Sequence, residues 1–327
     1  MFTALFSSVE SGLIYAIMAL GVYLSFRILN FPDLTVDGSF VTGASVCAAL
    51  IINGVNPFLA TLAALIIGFA AGCLTGILHT KGNINPLLAG ILMMIALYSI
   101  NLRIMGQSNV PLLQESTVFT VLLNGWNQLG IDSFMQSLFI SIGLSGFVPK
   151  TWSVLAASLV IIVLIKLVLD YFLKTEIGIA IRAVGDNEKM ISSFSANTDL
   201  LKVIGLGISN ALVAFSGAFI AQLNGFSDVG MGIGMIIIGL ASVIIGEALV
   251  GTKTIIRATL AVIIGAILYR MIIALALRVD FLETGDMKMI TALIVIAALV
   301  VPQLLAKQKE KRKKALRRKS GVPSCLS

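Results

Sequence analysis

Residues 57–79 read PFLATLAALIIGFAAGCLTGILH, a run with no acidic or basic side chain before the closing histidine. An α-helix of about 20 apolar residues is long enough to cross the hydrocarbon core of a bilayer. The run therefore predicts a membrane-spanning helix. Its glycines Gly68, Gly72 and Gly76 recur every four residues and form one helix face on which another backbone can approach closely. The face packs either within the chain or between two subunits, and we expect packing within the chain.

The rest of the chain has the same apolar character. Of its 327 residues, 58% are hydrophobic and only 12% are charged, whereas soluble domains carry about 25% charged residues. These values exclude an ordinary soluble enzyme and predict an all-α fold, a polytopic membrane helical bundle within residues 1–306. Nine spans are predicted, with eight or ten as alternatives: 7–29, 38–53, 57–79, 84–105, 152–173, 201–223, 235–250, 255–277 and 287–306.

Segments 38–53 and 235–250 are short and rich in Gly, Ser and Ala, so we predict partial or broken helices there. Similar turns precede them, Asn30-Phe31-Pro32-Asp33 and Asn224-Gly225-Phe226-Ser227-Asp228. Because the predicted topology places these turns on opposite sides of the membrane, they indicate inverted repeats, with which many transporters build a pathway at the membrane midplane. The matched residues are few, and chance similarity is the alternative.

Polar side chains near these two segments are candidates for a translocation pathway. Asp33 and Asp37 flank the first break, where a carboxylate either caps the next helix or lines a route. Unwound backbone is costly in lipid and persists where it faces protein or a water-filled cavity. We therefore predict that the pathway or its gates are lined by Asp37, Ser39, Thr42 and Ser242.

The net charge of +7 belongs to the C-terminal end of the chain. Residues 307–327 hold nine basic residues and one acidic residue, Glu310, whereas residues 1–306 have a net charge of −1. A solvated cytoplasmic tail beside anionic lipid explains this better than nucleic-acid binding does. The nine basic residues are Lys307, Lys309, Lys311, Arg312, Lys313, Lys314, Arg317, Arg318 and Lys319.

With the tail in the cytoplasm, nine spans place the N-terminus outside. The loops on the tail side and their edges then carry eight further basic residues, against four on the opposite side. This bias supports the orientation, because cytoplasmic loops are enriched in Lys and Arg. Segment 106–151 becomes an external lobe, with a β-prone run at 117–123 and an apolar stretch at 134–147 that is too short to span. The lobe either docks a soluble partner or is a folded cap without one.

Nothing in the sequence is typical of an enzyme. It contains no zinc-ligand spacing, no nucleophile with a base and no nucleotide-binding loop. We therefore expect no catalytic residue, cofactor or metal in this chain.

The predicted cytoplasmic loop 174–200 is the most informative one. Its residues 175–188 read TEIGIAIRAVGDNE, which predicts a short amphipathic helix followed by a turn at the inner membrane face. Such a segment is either an interfacial helix without a partner or a docking element.

These residues resemble the permease subunits of bacterial ABC importers of the branched-chain amino acid, ribose and nucleoside type. Asn30–Phe40, Ser209–Ala218 and Gly239–Glu247 also resemble segments of that family. In that family the loop couples transport to an ATPase subunit. By resemblance, the coupling residues here would be Glu176, Gly178, Arg182, Gly185, Asp186, Asn187 and Glu188.

The resemblance implies a complex in a bacterial inner membrane. Two permease subunits, as a homodimer, would form the pathway for a small polar solute. Two ATPase subunits would hold ATP and Mg²⁺, and an extracytoplasmic solute-binding protein would deliver the solute. The long external lobe favours an amino acid as that solute. The alternative is a secondary transporter that uses the broken helices with Asp33 and Asp37 for ion coupling.

Overall fold

The computed structural model describes residues 2–128, 132, 151–193 and 196–276, with residues 289, 292, 293 and 296 as isolated positions. Within these ranges, eight helical segments are long and apolar enough to cross a membrane. The predicted polytopic helical bundle is thus confirmed. Apart from the isolated positions, the predicted ninth span 287–306 lies outside the described residues, as does the tail 307–327.

The elements follow one another along the chain as α-helices joined by short connections, with two further helical turns and two short strands. A π-helical segment (Tyr23–Ile28) extends the first helix, and a 3₁₀ turn (Val229–Gly232) precedes the ninth. The helices are α1 (Phe2–Val22), α2 (Thr35–Ile52), α3 (Pro57–Thr80), α4 (Pro86–Met105), α5 (Val118–Gln128), α6 (Ser153–Phe172), α7 (Glu176–Ser193), α8 (Thr198–Asn224), α9 (Met235–Val250) and α10 (Ile255–Ala276); the strands are β1 (Asn109–Pro111) and β2 (Phe226–Asp228).

An Asn-Pro pair starts both α3 and α4. The Asn56 side chain accepts a hydrogen bond from Phe58 N at 2.9 Å, and the Asn85 side chain accepts one from Leu87 N at 3.0 Å. Proline at the first helical position has no N–H to leave unpaired, and asparagine satisfies one of the remaining free amides. These local signals explain why both helices begin where the hydropathy pattern predicts.

Helices α1, α2 and α8 are the most buried of the described spans, and α1 and α8 form an antiparallel pair. Ser216 Oγ donates to Ile14 O at 2.8 Å, and Ser209 Oγ donates to Gly21 O at 2.7 Å. Because the residue numbers rise along α1 while they fall along α8, the two helices run in opposite directions. Hydroxyl bonds to a neighbouring backbone hold helices together where little hydrophobic driving force acts between them.

The chain contains two three-helix units, α1–α3 and α8–α10. The third helix of each unit packs against the first helix of the other unit. Helix α3 packs along α8, and α10 packs along α1. The predicted glycine face lies in the first contact: a Cβ atom at Gly72 would be 2.2 Å from Leu206 O, and one at Gly76 would be 2.8 Å from Val203 Cα. This confirms packing within the chain. The antiparallel first helices and the reciprocal packing of the third helices are compatible with the inverted repeats that the sequence indicates.

The breaks differ in detail from the prediction. Helix α2 is continuous over 18 residues, so the first break precedes the 38–53 segment instead of interrupting it. The second break likewise precedes its segment: α9 is continuous from Met235 to Val250, and the span is interrupted between the 3₁₀ turn and α9, where Gly234 has a φ of +88°. Glycine adopts this left-handed conformation without steric cost, which explains its place at the break.

The described part of segment 106–151 corrects a second prediction. The β-prone run 117–123 belongs mostly to helix α5, and the strand lies earlier, at β1. Two tertiary contacts explain the helix: Val118 N donates to the Gln222 side chain at 2.8 Å, and Phe119 is buried against Phe219. Strand β1 pairs antiparallel with β2, with Val110 opposite Ser227. The apolar stretch 134–147 lies outside the described residues.

Candidate functional site

Helix α7 lies across one end of the bundle, which we call the α7 end. Its Ile181 is buried in a cluster with Leu29 and Phe31, from the connection after α1, and with Leu206 from α8. Val184 of the same helix is also buried. The opposite face of α7 is open, since Ile177 and Ile179 are about half exposed. The predicted amphipathic helix is therefore confirmed, and its buried face fixes it to the transmembrane helices.

Two of the predicted coupling residues, Gly178 and Gly185, face inward. A Cβ atom at Gly185 would lie 1.9 Å from Ile28 O, and one at Gly178 would lie 2.1 Å from Phe172 O. Real Cβ atoms do not approach an oxygen so closely, so both positions require glycine for α7 to dock as it does. These two residues hold α7 against its own chain.

The segment Gly185–Glu188 forms an elbow at which α7 changes direction. Asn187 is non-helical, with φ −154° and ψ 90°, and its side chain accepts from Met190 N at 3.1 Å to start a second helical piece. Glu188 pairs with Lys202 Nζ of α8 at 2.5 Å. Asp186, Asn187 and Glu188 are exposed, as is Glu176 at the start of the helix. These four of the seven predicted coupling residues are thus available to a partner.

A polar groove of about 700 Å³ lies beside the elbow. Three connections build it: residues 29–31 after α1, residues 79–86 between α3 and α4, and the elbow itself. His79 is part of this framework, since its Nδ1 lies 2.8 Å from Ile84 O and its ring packs edge-on against Phe31. The α7 end therefore presents a shaped, polar surface made from both halves of the chain.

The two carboxylates at the first break both cap helices. Asp33 Oδ1 accepts from Thr35 N at 2.9 Å at the start of α2, and its Oδ2 accepts from Asn210 Nδ2 at 2.7 Å. Burial raises the pKa of Asp33, while the hydrogen bonds from Asn210 and Thr35 act against that shift. Asp37 instead caps α9 across the break, accepting from Gly234 N at 2.9 Å and Ile236 N at 2.8 Å.

Asp37 also lines a cavity of about 430 Å³ between α2, α4 and the 3₁₀ turn. Met94, Tyr98, Asn101 and Ile233 form part of the same wall. Asp37 therefore both caps a helix and lines a cavity, the two alternatives that the sequence left open.

The other three predicted pathway residues are buried in this conformation. Ser39, Thr42 and Ser242 are each at most 1% exposed. Thr42 Oγ1 donates to Gly38 O and Ser242 Oγ to Ile238 O within their own helices, while Ser39 Oγ has no hydrogen-bond partner in the part of the chain described. Ser39 and Thr42 share α2 with Asp37, whereas Ser242 lies on α9 at its contact with α10.

Sequence reasoning missed the buried amides and one long-range ion pair. Asn210 and Gln222 of α8 and Asn101 of α4 are buried polar residues inside apolar segments. That placement is itself a signal, because amides inside membrane helices seek interhelical partners. The pair between Arg27 and Glu247, with two N–O distances of 2.9 Å, joins residues 220 apart and left no such signal. Among the described residues, no three His, Cys, Asp or Glu side chains form a group that could hold a metal ion.

Replacing Asp37 with alanine is expected to destabilise the protein by about 0.5–2 kcal/mol, the usual cost of losing a helix cap. The change leaves Gly234 N and Ile236 N without their acceptor. Asp37→Asn keeps one acceptor oxygen and should lose less. Unfolding in detergent measures both effects, with Asp199→Ala, at an exposed carboxylate in the first turn of α8, as the control. Equal stability of Asp37→Ala and the wild type would contradict the capping role.

Comparison with known proteins gives a consistent result over nearly the whole chain. Residues 4–301 match the family model described as the permease component of branched-chain amino acid transport systems. A tyrosine transport system permease protein of Clostridioides difficile (strain R20291) is 43% identical over 302 residues, 92% of each chain. An uncharacterized protein of Rickettsia prowazekii (strain Madrid E), RP368, is 31% identical over 299 residues, 90% of this chain and 96% of that one.

A ribose import permease protein, RbsC of Escherichia coli (strain K12), is more distant. It is 27% identical over 267 residues, which cover 81% of this chain and 74% of that protein. No solved structure matches the chain significantly.

Proposed function

Because the chain belongs to the family of branched-chain amino acid transport permease components, we propose that it forms the translocation pathway of an ATP-driven importer for an amino acid. Membership makes the chain a transport subunit and a multi-pass protein of the bacterial inner membrane. The observation that carries the proposal is helix α7, docked by its glycines at one end of the bundle while its elbow stays exposed. This geometry supports a role of the elbow as the contact with an ATPase subunit.

The proposed complex has three further components. ATP and Mg²⁺ bind to two separate ATPase subunits at the α7 end, which is cytoplasmic in the orientation that the basic residues favour. A solute-binding protein docks at the opposite end, where α5 and the β1–β2 ribbon lie. A second copy of the chain completes the pathway as a homodimer. The basic tail 307–327 lies in the cytoplasm beside anionic lipid and does not bind nucleic acid.

An amino acid is favoured over a sugar as the solute by the relatives. The relative named for tyrosine transport is 43% identical to the chain, whereas the one named for ribose import is 27% identical. Family membership likewise favours ATP over an ion gradient as the energy source. The capping bonds of Asp33 and Asp37 give both carboxylates a structural role that requires no ion coupling.

Uptake in liposomes tests this proposal. The chain reconstituted with its ATPase and receptor should import an amino acid when ATP is enclosed with the ATPase, and a panel of labelled amino acids with ribose identifies the solute. The chain alone should import nothing along a proton or sodium gradient. Gradient-driven uptake by the chain alone would support the secondary transporter instead, and uptake of ribose alone would exclude the amino acid.

Cysteine placed at Asp37, Ser39, Thr42 or Ser242 is expected to react with small aqueous thiol reagents, and the rate should depend on the ATP state. Three of these positions are buried in the conformation described, so their reaction requires the pathway to open. The native cysteines Cys47, Cys73 and Cys325 are replaced first to remove background. Leu167→Cys on α6, 62% exposed on the apolar outer surface, is the lipid-facing control. If all four positions stay inert in every state, the pathway lies elsewhere.

A further inference from the structure

A second polar pocket lies at the α7 end, away from the elbow groove. It has a volume of about 400 Å³. The π-helical segment provides Tyr23 and Ile28, α7 provides Arg182, and the start of α10 provides the remaining wall. That wall consists of Thr252, Lys253, Thr254, Ile255 and Ala258. The pocket thus joins three elements, one of which is the proposed coupling helix.

The Tyr23 hydroxyl opens into the pocket without a protein partner. The residue is only 5% exposed and lines the pocket, and its hydroxyl makes no hydrogen bond to any residue that the structure describes. A hydroxyl that reaches a pocket in this way is satisfied by water or by a ligand. It therefore provides a donor that a ligand atom in the pocket can use in place of water.

The charged groups of the pocket are basic and uncompensated. Arg182 is partly buried and Lys253 is exposed, and neither belongs to any ion pair among the described residues. The carboxylates nearest to the pocket already have partners. Glu247 is bound by Arg27 through both of its oxygens, and Asp170 is bound by Lys166 and by Thr259 Oγ1. The pocket therefore favours a negatively charged ligand.

The start of α10 adds backbone donors to these side chains. The helix runs for 22 residues from Ile255, and its N-terminal end faces the pocket through Thr254 and Ile255. Thr254 Oγ1 accepts from Arg257 N at 3.4 Å, so the amides of Ile255 and Ile256 are the ones left without an acceptor among the described residues, and the helix dipole makes this end positive. A phosphate group matches such a combination of free amides, hydroxyls and basic side chains.

We propose that this pocket binds a phosphate group and thereby ties α7 to the start of α10. The phosphate comes either from an anionic phospholipid headgroup or from soluble phosphate. Helix α10 is one of the eight membrane-spanning helices and starts at the pocket, which places the pocket level with the lipid headgroups. This binding site is independent of the solute that the protein transports.

Binding is measured on the full-length, delipidated protein in detergent, as the rise in unfolding temperature on titration with ligand. Phosphatidylglycerol should give a saturable rise, and zwitterionic phosphatidylcholine should give little. A separate titration of the protein with inorganic phosphate measures the response to soluble phosphate. The variants are Tyr23→Phe, Arg182→Gln and Lys253→Gln, with Lys81→Gln, an exposed lysine at the α7 end outside the pocket, as the matched control.

Tyr23→Phe is the most telling variant. The lost hydroxyl has no protein partner, so without ligand this variant should unfold at the wild-type temperature. Its affinity for the ligand should fall about tenfold, as expected for one hydrogen bond to a charged group. Arg182→Gln should weaken binding at least as much, and Lys81→Gln should leave it unchanged.

The ligand titrations distinguish the two phosphate sources. A response to phosphatidylglycerol alone assigns the site to lipid, and a saturable response to inorganic phosphate assigns it to a soluble phosphate. The absence of a saturable response to either ligand would overturn the proposal. Equal binding by the wild type and the Arg182→Gln, Lys253→Gln double variant would overturn it too, as would an equal loss in Lys81→Gln.

Discussion

Replacing Gly185 with leucine is expected to abolish ATP-driven uptake while the protein still reaches the membrane. Even a single added carbon would lie 1.9 Å from Ile28 O, so leucine must push α7 away from the end of α1. Overpacking of this kind costs about 1–3 kcal/mol, which corresponds to about a 5- to 150-fold shift between docked and displaced states. The transmembrane contacts between α1 and α8 are untouched, so the bundle should assemble.

The measurement compares uptake with ATP hydrolysis in the reconstituted complex. A displaced α7 should leave hydrolysis running while uptake falls, so that fewer solute molecules enter per ATP. The control is Ala70→Leu on α3, an exposed position on the apolar outer surface. Normal uptake per ATP by Gly185→Leu would show that α7 does not need to be docked for transport.

The second large effect is predicted for the contact between α3 and α8, where Gly72→Ala should destabilise the protein by about 1–3 kcal/mol. The new methyl would lie 2.2 Å from Leu206 O and 2.9 Å from Asn210 Cβ. The nearest atom belongs to the backbone, so the helices must separate to admit the methyl. Unfolding in detergent and the amount of folded protein in the membrane measure the loss.

A matched glycine-to-alanine substitution elsewhere is expected to change the stability in the opposite direction. Alanine is favoured over glycine in helices by about 1 kcal/mol, so Gly125→Ala, in open space on α5, should not destabilise the protein and should slightly stabilise it. Loss of stability at Gly72 with no loss at Gly125 isolates the packing contact from helix propensity. Gly72→Ala with wild-type stability would contradict the close approach of α3 and α8.

The spans themselves were predictable because hydropathy and capping are local properties. The apolar runs mark all eight described spans, and the Asn-Pro pairs at 56–57 and 85–86 mark two helix starts. The glycines of residues 57–79 identified a packing face but not its partner, since α8 begins more than 100 residues later. The sequence pattern of 117–123 favoured a strand. The residues form a helix instead, because Val118 N donates a hydrogen bond to the distant Gln222 side chain.

The candidate site was predictable only in part, for the same reason. Residues 175–188 identified α7 and its turn, but their sequence does not tell which side chains point toward the bundle. Gly178 and Gly185 act in docking α7, and only the folded chain shows the carbonyls of Phe172 and Ile28 against them. Likewise, the sequence left open whether Asp37 caps the next helix or lines a route, and only the structure shows that it caps α9, which begins 198 residues later.

Cross-linking from the elbow tests most directly the central claim that this chain couples to an ATPase subunit through α7. In a background without native cysteines, Asp186→Cys and Asn187→Cys each receive a short photoreactive label in the assembled complex. The account predicts that both positions label the ATPase subunit, that the yield changes on ATP binding, and that Lys253→Cys, exposed at the same end but outside α7, gives much less product. If both elbow positions fail to label the ATPase in an intact complex that hydrolyses ATP, the contact lies elsewhere and the assignment of α7 is wrong.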